Sequence, residues 1–179
     1  MSNETLIIMG SSRVGGNTAK TVERLNETLQ TKIIDLSKYD IGFYDYEFNN
    51  QDDDFIKASE PMVGAQKIIF ATPVYWYAMS APMKLFFDRL SDFLRVRKQE
   101  GRALKNKEVY LLSSGTQPEA PEYFARPFED TCKYLDMHFC GHHYVDARSD
   151  DLENEQSFID IDIFAKNILQ PCEPIKKVS

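Results

Sequence analysis

The stretch GSSRVGGNT, Gly10 to Thr18, gathers hydroxyls at Ser11, Ser12 and Thr18, an amide at Asn17, a guanidinium at Arg13 and three glycines within nine residues. Such donors grip phosphate oxygens, and the glycines let backbone N–H groups approach closely. The loop misses the standard phosphate patterns, and each miss is informative. Gly10 and Gly15 have the Walker A spacing, but Gly16 and Asn17 follow where Lys and Ser or Thr are needed. Ser12 occupies the second glycine position of the dinucleotide fingerprint G-x-G-x-x-G. The acid of a phospho-receiver domain and the cysteine of a low-molecular-weight phosphatase are replaced by Met9, Gly10 and Ser11. A single terminal phosphate monoester fits what remains, aided by a helix N-terminus worth roughly 0.3–1 kcal/mol to an exposed anion.

A second cluster, TPVYWYAMSAPMKLFFDRL, sets Tyr75, Trp76, Tyr77 and Met79 beyond an apolar run. Clustered loop aromatics make poor core and good walls for a flat ring, each stacking contact adding roughly 0.5–1.5 kcal/mol beyond burial. A phosphate cradle beside a planar platform describes a mononucleotide with a large ring, and FMN meets both demands.

The elements that must bring these loops together are legible in the patterning. TLIIM (5–9), KIIDL (32–36), KIIFAT (67–72), EVYLLS (108–113) and HFCGHHYVDA (138–147) read as five strands. Most are continuously apolar, as in strands covered on both faces. Between them, Ala19, Val22, Leu25 and Leu29 recur at helical spacing behind Asn17 as N-cap. Met83, Phe86, Phe87, Leu90 and Leu94 do so behind Ser80 as cap, with Pro82 in the first turn. Further helices carry Phe124, Phe128, Cys132 and Leu135, then Phe158, Ile161, Ala165, Ile168 and Leu169, with another from about Asp53 to Ala65. This alternation predicts an α/β three-layer sandwich: a five-stranded parallel sheet of order 2-1-3-4-5 with helices on both faces. The chain reverses between strands 1 and 3, so ligands belong in the crevice at their carboxyl ends, where both loops start. Residues 1–170 read as one domain and 171–179 as a Pro-broken tail.

With the loops in that frame, the sequence resembles the NAD(P)H-dependent FMN reductases of flavodoxin-like fold, a family related to WrbA-type quinone reductases and iron–sulfur flavoproteins. GSSRVGGNT, ATPVYWYAMSAPMKLFFDR and SSGT carry the resemblance, which covers about 6–115. It implies that Ser11, Arg13, Gly16, Asn17 and Thr18 hold the FMN phosphate. Pro73, Val74, Tyr75 and Trp76 would line the isoalloxazine, and Ser114, Gly115 and Thr116 would close the other side. It also implies a homodimer or homotetramer packed through SAPMKLFFDRL. The implied reaction takes a hydride from NAD(P)H and reduces a small acceptor: a flavin, quinone, azo or nitro compound. No side chain is required as a catalytic acid, base or nucleophile, because the flavin N5 carries the chemistry. The other reading of the same residues is a flavodoxin-like electron carrier without NAD(P)H oxidation. DIGFYDYEFNNQDDDF has no cysteine, which excludes an iron–sulfur cluster between strands 2 and 3.

Three other groupings suggest less. His138, Cys140 and His142 would share one face of a regular strand, a metal half-site without a fourth ligand, so no metal is expected. The acids of NNQDDDF lack the calcium-loop pattern. Arg89 and Lys84 oppose Phe86 and Phe87 on a helix and are expected in solvent or interface ion pairs. Three cysteines without a C-x-x-C pair argue against a disulfide framework. A net charge of −7 disfavours nucleic acid and anionic membranes as partners. With no signal-like or membrane-spanning run, a cytoplasmic location is expected.

Overall fold

A computed structural model describes residues 5–148 and 155–172. Its parallel strands are β1 (Thr5–Met9), β2 (Lys32–Asp35), β3 (Lys67–Tyr75), β5 (Glu108–Gly115) and β6 (His138–Asp146). They lie in the order β2-β1-β3-β5-β6, and the two-residue β4 (Ala78–Met79) folds back antiparallel on β3. Leaving out that short hairpin strand, the order is the expected 2-1-3-4-5. The reversal falls between β1 and β3, whose register runs from Thr5 opposite Lys67 to Met9 opposite Ala71.

Strand alternation sends Leu6, Ile8, Ile68 and Phe70 to one face and Ile7, Met9, Ile69 and Ala71 to the other. The first face is covered by α2 (Phe55–Gly64), α3 (Ala81–Arg89), the short α4 (Asp92–Arg95) and α6 (Arg126–Tyr134). The second is covered by α1 (Asn17–Leu29) and α7 (Glu155–Leu169). Two cores thus clamp one sheet, which is why its strands read as nearly unbroken apolar runs. Among the described residues, no helix is long and apolar enough to cross a membrane.

Four local expectations need correction. The N-cap of α1 is Gly16, with Asn17 the first helical residue. The helix predicted across Met83 to Leu94 ends at Arg89, and the chain continues through α4 into α5 (Lys98–Arg102). Arg89 is no surface residue: it is 1% exposed. Finally, His138, Cys140 and His142 do not share a face, because the β5–β6 register shifts between Val109 and Tyr110, leaving Cys140 in a bulge. An extra residue in a ladder inverts the facing of everything beyond it. His142 consequently lies against Phe124 on the first core, while Cys140 packs on the second. No grouping of metal-ligating side chains occurs among the described residues.

His142 is partly buried and contacts Ser113 Oγ through Nε2 at 2.6 Å. Burial, reinforced by His143, pushes its pKa down to about 4 from an ordinary 6.5. The unfolded imidazole therefore takes a proton that the folded one refuses as pH falls through that window. Stability is full above pH 6.5 and declines toward pH 4, by about 3 kcal/mol for this group. His143 is shifted in the same direction, chiefly by burial. Urea titrations of wild type and His142→Gln at pH 7 and 4.5 should show a smaller pH-dependent loss in the variant.

Cys140 and Cys172 form a disulfide, with Cα atoms 5.8 Å apart, contrary to the expectation from cysteine count. The bulge turns Cys140 toward the end of α7, and the chain beyond that helix is held against the sheet independently of the thiols. Lys67 Nζ donates to the carbonyls of Ile168 and Gln170, and the Cys172 N–H donates to Glu108 Oε1. Residues 173–179 of the predicted tail lie outside the described residues. Closing this 32-residue separation is worth about 3.5 kcal/mol on the loop-entropy account. Cys172→Ser should lower the melting temperature by roughly 10 °C. Dithiothreitol should do the same to the wild type and add nothing in the variant.

Candidate functional site

The phosphate-type loop spans the turn from β1 into α1. Gly10 ends the strand under a hard constraint: a Cβ there would fall 2.9 Å from both the Cβ and the backbone N of Met83. Its carbonyl accepts from Ser80 Oγ at 2.7 Å. Ser80, fully buried, also caps α3 by accepting from the Met83 N–H at 3.4 Å, and its own N–H donates to Thr72 Oγ1 at 3.1 Å. One serine therefore joins the end of β1, Thr72 within β3 and the start of α3.

Beyond Gly10 the loop is shaped by its own polar groups. Ser11 Oγ contacts the Arg13 backbone N–H and carbonyl, both at 3.3 Å. Gly15 adopts φ +64°, the left-handed turn that favours glycine. Gly16, as N-cap, has no side chain to occupy the first N–H groups of α1, and the first turn carries no acid. Those donors remain for an anion. The Arg13 stem runs over Gly16, where a Cβ would lie 3.1 Å from Arg13 Cδ. Thr18 Oγ1 meets Ser114 Oγ at 3.0 Å, tying α1 to the end of β5.

These pieces enclose a 210 Å³ cavity lined by Ser11, Arg13, Gly16, Asn17, Thr18, Pro73, Val74, Tyr75, Ser114, Gly115, Thr116 and Ala147. Eleven of the twelve residues singled out from sequence thus meet around one space, and among the described residues Arg13 is the only charged one on its wall. The twelfth, Trp76, lines an adjoining 180 Å³ cavity with Tyr77, Gln117, Pro121 and Tyr144, and the two cavities share Val74, Gly115 and Thr116. Together they make a trough that is polar at the α1 end and aromatic at the other. Gln117, Pro121, Tyr144 and Ala147 were not anticipated. Tyr144 Oη donates to the Gln117 carbonyl at 2.8 Å and sits where a Cβ on Gly115 would come within 2.8 Å of it. Only the bulge-shifted facing of β6 brings Tyr144 here, and nothing in the local sequence signals a bulge.

The aromatic wall is built on an unusual turn. Tyr75 pairs with Ala78, and the two residues between, Trp76 and Tyr77, have φ of 48° and 66°. This is the type I′ form, usually filled by Asn-Gly because bulky residues resist positive φ. Trp76 is 94% exposed.

Arg89, in the same sequence block, organises the loop after β2. It donates to the carbonyls of Gly42 (3.1 Å) and Asn50 (2.6 Å) and to the carboxylates of Asp53 and Asp92, the last at 2.8 Å. Its guanidinium also lies 4.8 Å from the Phe55 ring centroid. Despite the desolvation of Asp53, hydrogen bonds from Arg89, Phe55 and Gly42 hold its pKa below the usual range. The acids of NNQDDDF therefore include a structural anchor, with Asp54 also accepting from the Asp40 N–H at 3.1 Å.

Comparison with known proteins agrees with this geometry. The family model described as NADPH-dependent FMN reductase matches residues 4–148. YwqN of Bacillus subtilis (strain 168), which bears the name of an NAD(P)H-dependent FMN-containing oxidoreductase, is 30% identical over 148 residues, 76% of this chain and 81% of that one. A Bacillus subtilis structure called Trp repressor binding protein superposes with a TM-score of 0.69 at 25% identity, covering 94% of this chain and 99% of that one. General stress protein 14 of Treponema denticola, solved in complex with FMN, shares the fold with a TM-score of 0.67 at 19% identity, covering 92% and 99%. The chain, with its Gly-capped β1–α1 loop facing an aromatic hairpin across the sheet's reversal point, belongs to the NADPH-dependent FMN reductase family of flavin oxidoreductases.

Proposed function

We propose that the trough between the β1–α1 loop and the β3–β4 hairpin holds FMN and that the protein reduces a small planar acceptor, a flavin, quinone, azo or nitro compound, at the expense of NAD(P)H. The observation that carries this reading is the trough's polarity. Among the described residues its inner cavity offers hydroxyls, uncapped helix N–H groups and one cation with no carboxylate, which suits a terminal phosphate. Its outer cavity offers Trp76, Tyr77 and Tyr144, which suits a flat ring.

In this reading Ser11, Arg13, Gly16, Asn17 and Thr18 bind the phosphate. Pro73, Val74, Tyr75 and Trp76 line one side of the ring, and Ser114, Gly115 and Thr116 the other. Ser80 and Thr18 fix the spacing between those walls. FMN, when bound, supplies the hydride and electron chemistry, and the chain's part is to bind, orient and enclose it. The whole site belongs to the single domain 1–170. The exposed Trp76 and Tyr77 rim supports assembly as a homodimer or homotetramer around the site.

Arg13→Ala should weaken FMN about 10- to 100-fold, the range for a charge-assisted hydrogen bond to phosphate, while leaving riboflavin affinity nearly unchanged. Trp76→Asn should weaken both flavins alike, by roughly 3- to 10-fold for a lost stacking contact. Fluorescence-quenching titrations of the apoprotein with each flavin separate the two effects. Anaerobic rapid mixing of the flavin-loaded protein with NADPH and with NADH tests the reaction itself. Bleaching of flavin absorbance is expected; a flavin that stays oxidised with both would assign the protein an electron-carrier role.

A further inference from the structure

At the end of the sheet opposite the flavin trough, where β5 and β6 begin, lies a second concave surface with a different charge. Residues 95–107 contain Arg95, Arg97, Lys98, Arg102, Lys105 and Lys107 against one acid, Glu100, in a chain of net charge −7. Two of these are internally committed. Lys107 is buried and donates to the Val63 and Ala65 carbonyls, and Arg97 pairs with Glu100 at 2.6 Å. Lys98, Arg102 and Lys105 instead line a 420 Å³ cleft closed by Leu94 on one side and by Tyr134 and Asp136 on the other.

The cleft is a product of close packing. A Cβ at position 101 would fall 2.4 Å from the Phe93 carbonyl oxygen, so Gly101 is what lets α5 approach α4. That approach aims Lys98 and Arg102, one helical turn apart, toward the same space. A like-charged pair at this spacing is destabilising unless something anionic relieves it. Among the described residues neither has an acidic partner; the cleft's single carboxylate, Asp136, lies 3.6 Å from Lys105. Tyr134 is 75% exposed and lines the cleft.

We propose that this cleft is a second ligand site, separate from the flavin trough, which takes a phosphorylated nucleotide: Lys98 and Arg102 hold the phosphates and Tyr134 stacks on the base. Arg suits phosphate oxygens through its fork of N–H donors, and an exposed tyrosine offers a flat face to a heterocycle. The cavity lies within the usual range for a small ligand. Asp136, held by Lys105, is placed to accept from a ribose hydroxyl. A longer polyanion fits less well, because beyond the basic face it meets the repulsion of an acidic protein, whereas one nucleotide touches only the patch.

The probe is ADP, titrated calorimetrically into protein saturated with FMN so that the flavin trough is filled. Saturable binding is expected. Adenosine and inorganic phosphate should each bind at least about tenfold more weakly, since each keeps only half of the recognition. The double variant K98Q/R102Q should weaken ADP by about tenfold or more, and Tyr134→Ala by roughly threefold or more. Flavin content and NADPH oxidation should match the wild type in both variants, and neither should melt at a lower temperature; relief of the like-charged pair raises that of the double variant slightly. The assignment is overturned if ADP gives no saturable heat with the wild type. It is equally overturned if the double variant binds ADP as tightly, or if a tri-glutamate peptide binds the cleft more tightly than ADP.

Discussion

The site depends on the contact between Gly10 and the start of α3. β1 and β3 are neighbours in the sheet but send their helices to opposite faces, which opens a crevice at their carboxyl ends. Left to itself, such a crevice has two loose loops for walls. Here the Gly10 carbonyl is taken by Ser80 Oγ, and the absence of a side chain at position 10 lets Met83 sit against the strand end. Ser80 and its partner Thr72 are both fully buried, so these hydrogen bonds are protected from competition with water. The β1–α1 loop, the aromatic hairpin and α3 therefore form one connected corner, and the Thr18–Ser114 contact extends it to β5.

Much of this corner was legible because its causes are local. Continuous apolar runs mark strands buried on both faces. Alternation with amphipathic segments fixes right-handed crossovers, and these fix which two loops meet. Hydroxyls, glycines and aromatics at those loops then read as a site, and eleven of the twelve residues so chosen line one cavity. Gly10 was grouped with the phosphate loop, yet its glycine identity serves packing against Met83.

What escaped the sequence was non-local. Arg89 reads in the sequence as a surface cation, yet it lies three residues beyond the buried Phe86, on the same side of α3, and the helix ends there. The guanidinium turns inward to satisfy carbonyls and carboxylates brought from residues 42 to 53. A buried arginine is tolerable only when its donors find partners from several segments, and no window of sequence shows such a set. The bulge at Cys140 is of the same kind. One unpaired residue in β6 inverts the facing of His142 and Tyr144, removes a metal half-site, supplies a wall to the aromatic cavity and turns Cys140 toward Cys172. Pattern reading assumes an unbroken period of two, and a bulge is where that assumption fails.

The Trp76–Tyr77 turn shows where stability yields to function. Left-handed backbone at a non-glycine residue costs roughly 1–2 kcal/mol, and two adjacent aromatics incur it twice. In a core, burial of the rings would offset this cost, but Trp76 and Tyr77 are 94% and 70% exposed. An Asn-Gly pair would form the same turn with less strain and expose no apolar surface. The hairpin therefore keeps two strained, solvent-facing rings beside a cavity whose far end is lined by hydroxyls and Arg13. In the proposed function, contact with a flat ligand would supply the burial that the isolated chain lacks. The local rule is broken at the one place where the sheet's topology independently puts a ligand.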